Sequence, residues 1–535
     1  MPMHKEERAM EKVLIAGEWR EAHASGGFRA EDPKTGQAIG PEYPVSRWED
    51  CDLALNAATE AFKEMRGIEL EKIAAFLEQY AANLEVNADA LVAMAASETA
   101  LPASPRLSQV ELPRTTGQLR QAAAAAREGS WQNVVIDTKN NIRTHFAPIG
   151  PVVVFGPNNF PFAFNGIAGG DFAAAIAAGN PVIAKAHPSH PGTSRLLAEQ
   201  ALAAVKQTGL PAATVQMIYA LANEDGLRLV SDPRTAATGF TGSSAGGLRL
   251  KAAADAVGKP IYLEMSSINP VVVLPAALQE RGETIARELA TSCLMGSGQF
   301  CTSPNMILLT QSPEAESFVA TMTSAFEAAP SQPLLSRGGL EHLSKCVDEL
   351  VGAGAKVVTG GKREPGAAFC YDNTILRVSG ADWLEAPETL EKEAFGNATM
   401  VVMAKNVDEA QQIVEHMEGN LTGALYSANS GADDADYDRM APALRARVGR
   451  LLNDKAPTGV AVSPAMNHGG PYPSTGHPGF TSVGIPVAIH RFAKLDCYDN
   501  VRAHRLPKAL QDKNPNGTMW RSIDGSWSRG DVAGS

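Results

Sequence analysis

The chain has 535 residues, more than one ordinary hydrophobic core supports, so two or three domains are expected. Hydrophobic residues make up 44% and charged residues 20%, the balance of a packed globular protein, which excludes long disorder. A formal net charge of −12 with no long Lys or Arg run excludes nucleic acid and anionic membrane surfaces as expected partners.

The first residues, Met1 to Arg8, lack the apolar stretch of a secretion signal, and no run of about 18 apolar residues follows, so a cytoplasmic location is expected. Between about 50 and 127 the pattern is helical: Leu53, Ala57, Ala61 and Phe62 share a face, and the run Ala122 to Ala126 has high helix propensity. Weak alternation over 141–147 predicts an exposed strand, and the apolar run 152–155 predicts a buried one ending at Gly156-Pro157. Strands then alternate with helices: strands at 181–185, 215–219, 237–240 and 261–263, with helices over 193–208 and after Ser243. Such alternation of near-continuous apolar strands with helices predicts an α/β fold, a parallel sheet covered on both faces in the manner of Rossmann-like nucleotide-binding domains. A second alternating block opens with strand 271–274 and a helix around Ile285, Leu289 and Cys293, runs to about 470, and predicts a second α/β domain. The remainder, rich in Pro and Gly through His468-Gly469-Gly470-Pro471-Tyr472-Pro473, reads as loops, a strand and an irregular tail.

The six cysteines, Cys51, Cys293, Cys301, Cys346, Cys370 and Cys497, form no C-x-x-C pair, so reduced thiols are expected and no metal site is. The one H-x-x-H, His187 to His190, is interrupted by Pro188 and followed by Pro191, which prevents an ordinary helical face. Cys301 differs from the others. It sits in the loop Gly298-Gln299-Phe300-Cys301-Thr302-Ser303-Pro304 ahead of an apolar strand at 306–309, where sheet proteins display reactive groups, whereas Cys293 falls on an apolar helical stripe. Glu264 follows the strand 261–263, and partial burial there is expected to raise its pKa into the range of a general base. Asn159, in the rigid turn Gly156-Pro157-Asn158-Asn159-Phe160-Pro161, has the amide of an oxyanion donor, though closing a turn would suffice to explain it. The turn Thr241-Gly242-Ser243-Ser244-Ala245-Gly246-Gly247 opens a helix whose free N–H groups suit a phosphate, or it is a packing turn.

In this order these segments, with Glu393-Ala394-Phe395-Gly396, resemble the aldehyde dehydrogenase superfamily, and the likeness extends from Ile15-Ala16-Gly17-Glu18-Trp19 to Asn514-Pro515-Asn516-Gly517. Within it the chain is most similar to the branch of NADP-dependent or α-ketoglutarate-semialdehyde (2,5-dioxovalerate) dehydrogenases. The residues that carry this likeness are Phe160-Pro161-x-Ala163-Phe164, Ala168-Gly169-Gly170-Asp171, the segment Lys185 to Thr193, and His468 to Pro473. Two positions depart from the family pattern: Glu264-Met265-Ser266 stands for Glu-Leu-Gly, and Phe395-Gly396-Asn397 for Phe-Gly-Pro.

The resemblance implies NAD(P)+-dependent oxidation of an aldehyde to an acid through a thioester on Cys301, with Asn159 and a backbone N–H holding the oxyanion and Glu264 activating water. Relatives that transfer the acyl group to coenzyme A lack that Glu. It also implies cofactor contacts from Lys185, Gly242, Ser243, Gly247, Glu393 and Phe395, and the absence of an acidic residue at Pro188 permits NADP+ beside NAD+. By the same likeness, 1–129 with 151–263 form the NAD(P)-binding domain and 264–470 the catalytic domain. The segments 130–150 and 471–535 supply a small β oligomerisation element and tail, giving a homodimer or homotetramer. Phe160, Phe164, Phe300 and Phe480 are candidates for an aldehyde tunnel, and no arginine is assigned to a substrate carboxylate. Two other readings stand beside this one. A cofactor-independent thiol esterase would leave Lys185, Ser243 and Glu393 without a role, and a non-catalytic relative would have lost a reacting residue.

Overall fold

Apolar runs form strands buried on both faces, and Val152–Phe155 is an interior one of a seven-stranded sheet in the computed structural model, which describes residues 10–532 except 365 and 367. The expectation about the leader concerns residues 1–8, outside the described residues. The sheet runs in the order Ile261–Glu264, Ala237–Thr241, Val152–Phe155, Val182–Lys185, Val215–Ile218, Val13–Ile15 and Glu18–Arg20. The first five strands are parallel, and the last two close one edge as an antiparallel hairpin. Strand order reverses between Val152–Phe155 and Ala237–Thr241. The crevice beyond their carboxyl ends is therefore a topological switch point, where open α/β sheets bind ligands.

The helices Trp48–Met65, Leu70–Val86, Ala88–Thr99, Leu112–Glu128 and Pro191–Thr208 bury their apolar faces with this sheet in one continuous core. A second seven-stranded sheet is ordered Lys356–Thr359, Thr374–Ser379, Ala398–Ala404, Met306–Thr310, Val271–Val273, Asn420–Tyr426 and Val448–Asn453, all parallel except the first. Successive side chains of a strand face opposite ways, so Val271 and Val273 join one hydrophobic core and Val272 the other. Cys293 is buried with the former, on helix Pro275–Leu294.

A five-stranded sheet is built from Ala493–Asp499, Ile142–Pro148, Val134–Asp137, Arg521–Ile523 and Ser526–Ser528. A three-stranded sheet of Ala24–Glu31, Ala38–Ser46 and Ala220–Leu221 has no counterpart in the sequence reading, because its residues are largely exposed and Gly26-Gly27 interrupts any alternation. Between the second large sheet and the five-stranded one, the chain from 468 to 482 returns to the carboxyl end of strand Ile261–Glu264: Ser474 O accepts from Met265 N at 2.8 Å. Among the described residues no helix is long and apolar enough to cross a membrane.

Candidate active site

Glu264 is the last residue of its strand, paired in register with Thr241 of the neighbouring strand, which brings it to the switch-point crevice. Cys301 reaches the same place from the second sheet, on the loop between helix Pro275–Leu294 and strand Met306–Thr310. Two features hold that loop. Gly298 has φ of +66°, and a Cβ there would fall 2.0 Å from Gly396 O, so only glycine allows the two segments to touch. Asn269, fully buried, donates its side-chain amide to Cys301 O and Ser303 O, both at 2.9 Å.

His468 completes the group. Its Nε2 lies 3.2 Å from Cys301 Sγ and 2.9 Å from Glu264 Oε1. The glycines after it make this approach feasible, since a Cβ on Gly469 would meet Phe480 O at 2.1 Å and one on Gly470 would meet Asn420 O at 2.2 Å. Ser482 Oγ donates to Glu264 Oε2 at 2.9 Å. On the opposite side Asn159, also buried, donates Nδ2 to Gln299 O at 3.0 Å, which ties its turn to the cysteine loop and leaves its second amide hydrogen uncommitted.

Burial and the neighbouring Glu264 carboxylate push the Cys301 thiol well above its ordinary pKa, while Arg114 acts the other way. For Glu264, only 1% exposed, burial alone acts upward, which is the expectation from sequence. The outcome is the reverse: His468 first, then Ser482 and Cys301, outweigh burial and hold the carboxyl below its usual range. The resting pair is accordingly a thiol beside a carboxylate.

The family model described as "Aldehyde dehydrogenase family" matches residues 19–471. The chain belongs to the aldehyde dehydrogenase family. It is similar to the alpha-ketoglutaric semialdehyde dehydrogenase 2 of Azospirillum brasilense, with 39% identity over 520 residues, 94% of this chain and 97% of that protein. With the alpha-ketoglutaric semialdehyde dehydrogenase of Acinetobacter baylyi it shares 35% identity over 491 residues, 90% and 92% of the two chains. The fold is that of PnpE solved in complex with nicotinamide adenine dinucleotide, with a TM-score of 0.79 at 22% identity over 92% of this chain and 98% of that one. The protein is an oxidoreductase acting on aldehydes.

Lys185 ends its strand half-buried, and burial lowers its pKa to about 8 with no ion pair among the described residues. The turn after Thr241 is more committed than its glycines suggest. Gly242 N donates to Glu264 O at 3.1 Å, Ser243 Oγ accepts from Gly246 N at 3.3 Å as the cap of helix Ser244–Asp255, and Gly247 lies against Met265 and Phe240. Ser244 and Ala245, whose first-turn amides have no preceding carbonyl in the helix to bond, line a cavity of about 460 Å³ that reaches Ser267 and Glu393. Burial lifts Glu393 to about 7. Phe395, half-buried, is not among that cavity's walls.

Phe160, Phe164 and Phe300 form one cluster, Phe160 standing edge-on to the other two at 5.3 and 5.1 Å. Phe480 is not part of it: its ring lies against Arg491 at 5.0 Å, and Arg491 is ion-paired with Asp171, so this residue is removed from the tunnel candidates. His468, Ser482, Asn269, Arg106 and Arg114 are the site residues that sequence reasoning did not single out. His468 did stand in the run His468 to Pro473 that carried the family likeness, but no role was assigned to it.

Proposed function

We propose that this enzyme oxidises an aldehyde that carries a carboxylate, of the α-ketoglutaric semialdehyde type, to the acid, with NAD+ or NADP+ as oxidant and Cys301 as nucleophile. The observation that carries this reading is His468 Nε2 standing 3.2 Å from Cys301 Sγ and 2.9 Å from Glu264 Oε1, with the Asn159 amide tied to the cysteine loop through Gln299 O. The Cys301 proton leaves toward His468 Nε2 or Glu264, and the thiolate adds to the aldehyde carbon, forming a C–S bond and an oxyanion. The free hydrogen of the Asn159 amide and a backbone N–H of the cysteine loop hold that oxyanion, each fixed donor contributing roughly 3–4 kcal/mol to the transition state.

Lys185, the helix start after Ser243 and Glu393 would hold a nicotinamide dinucleotide, which would supply the hydride acceptor that oxidation of the Cys301 adduct to a thioester requires. The residues suit such a group: a half-buried lysine lacking an acidic partner among the described residues and first-turn helix amides without carbonyl partners both favour anionic and hydroxyl ligands. Pro188 puts no negative charge beside Lys185, so a 2′-phosphate is tolerated and NADP+ is accepted as well as NAD+. Glu264, ionised, takes a proton from the water that attacks the thioester; the acid departs and Cys301 regains its proton. We further propose that the units assigned from sequence act as cofactor, catalytic and assembly domains, with the five-stranded sheet joining copies into a homodimer or homotetramer.

The test is absorbance at 340 nm with a panel of aldehydes, α-ketoglutaric semialdehyde included, against NAD+ and NADP+ separately. A signal that is lost in Cys301→Ala supports the reading. Ester hydrolysis without nucleotide and a flat trace with every aldehyde would replace it with a thiol hydrolase.

A further inference from the structure

Beside the aromatic cluster opens a cavity of about 920 Å³ with largely apolar walls, Leu101, Val110, Met295 and Val460 among them. Two arginines interrupt that lining, Arg106 from the helical segment Ala103–Glu111 and Arg114 from helix Leu112–Glu128. Arg106 is ion-paired with Glu111, a fully buried carboxylate that also accepts from Phe162 N at 2.8 Å and Ala163 N at 3.0 Å. Arg114 makes no ion pair among the described residues. Its Nε donates to Gln118 Oε1 at 3.1 Å, and its Nη2 is buried with no hydrogen-bond partner.

Both guanidinium groups rest on the aromatic walls, Arg114 over Phe160 and Phe164 at 5.6 and 5.2 Å, Arg106 over Phe160 and Phe300 at 4.5 and 5.2 Å. Phe160 adjoins Asn159 in the chain and Phe300 adjoins Cys301, so the arginines look across the same rings that flank the reacting groups. Two cations and one carboxylate leave a net positive charge inside an apolar chamber of a chain whose overall charge is −12. A desolvated guanidinium with an unmet donor is unfavourable until an anion arrives, and its planar fork matches a carboxylate.

We propose that Arg114, supported by Arg106, binds the carboxylate of an ω-oxo acid whose aldehyde end meets Cys301, and that this pair sets the substrate class. The inference rests on the dehydrogenase reading above and adds to it the groups that recognise the far end of the substrate. Aldehydes of equal length with and without the charge, succinic semialdehyde and butanal, separate recognition from chemistry. In Arg114→Met the ratio of kcat/KM for succinic semialdehyde over butanal falls at least tenfold, the loss lies in KM for the charged aldehyde, and Arg114→Lys recovers part of it. An unchanged ratio overturns the proposal, whether both activities drop together, as a structural role would give, or neither moves.

Protection of Cys301 from iodoacetamide by succinate provides a second readout that needs no turnover. It is expected in the wild type and weaker in Arg114→Met; equal protection in both, or none in the wild type, counts against the pair. A wild type that oxidises butanal in preference to succinic semialdehyde removes the carboxylate site and leaves the dehydrogenase intact. A wild type inactive on both aldehydes and on α-ketoglutaric semialdehyde with either nucleotide removes the dehydrogenase reading, while succinate protection still reports on the arginines.

Discussion

The Glu264 carboxylate raises the Cys301 thiol and so disfavours its nucleophilic form, while the surroundings of Glu264 keep that carboxylate ionised, as a general base requires. His468 touches both and is the leading influence that lowers Glu264. Removing it takes away the leading influence that lowers Glu264, so burial prevails and the carboxyl pKa rises. A protonated Glu264 cannot accept the water's proton, so in His468→Ala the acid limb of the kcat profile moves to higher pH and the rate near neutrality drops. The pH dependence of kcat, measured for wild type and variant, checks this; an acid limb that stays put would mean that His468 does not act on Glu264. Cys301 and Asn159 were legible as candidates because each stands in a loop marked by Gly or Pro, and Glu264 because it ends an apolar strand. His468 was not, because a lone histidine in a glycine-rich loop has no periodic context to say what it faces.

At the scale of elements, the cysteine loop is positioned by other segments rather than by itself. The contact of Gly298 with Gly396 O joins the Gly-Gln-x-Cys segment to Glu393-Ala394-Phe395-Gly396 and explains the glycine at 298, whereas a Cβ on Gly396 would meet Leu343 Cδ2 at 2.6 Å. Gly298→Ala combines a 2.0 Å clash with a left-handed φ of +66° and should displace Cys301. The expected loss in kcat/KM is about a hundredfold, since a shift of about 1 Å in a reacting group is enough for that. Retained activity in a protein with an unaltered melting profile would show that the loop tolerates the shift. Strands such as Val152–Phe155 and Val182–Lys185 were legible because burial on both faces leaves an unbroken apolar run. The wide-turned segment Ala103–Glu111, which carries Arg106, was not, because Pro102 and Pro105 at its start obscure helical periodicity.

The whole molecule has one sheet that stands apart from the two large ones. Among the described residues its edge strand Ala493–Asp499 is paired on one side only, and it exposes Leu495 to 60%, an open ladder and an apolar side chain that a second copy would cover. The protein is expected to run as a dimer or tetramer, and Leu495→Lys should shift it toward smaller species in light scattering coupled to size exclusion. A wild-type monomer, or a variant with unchanged mass, would separate assembly from this edge. The order of the two large sheets follows from chain connectivity: strands laid first on one side of Val152–Phe155 and then on the other create the crevice in which residues from both sheets meet.

Local patterning by itself determined the α/β class, the five parallel strands of the first large sheet, the strands around 271–274 and 306–309 of the second, and the loops or strand end that carry Cys301, Asn159 and Glu264. Periodicity and turn chemistry are properties of neighbouring residues, so the chain displays them directly. Tertiary structure alone decided the direction of the Glu264 shift, the exclusion of Phe480 from the aromatic cluster and the arrival of Arg106 and Arg114 at the cavity. Each of these depends on charge and packing acting through space between segments far apart in the chain, and no window of sequence contains both partners.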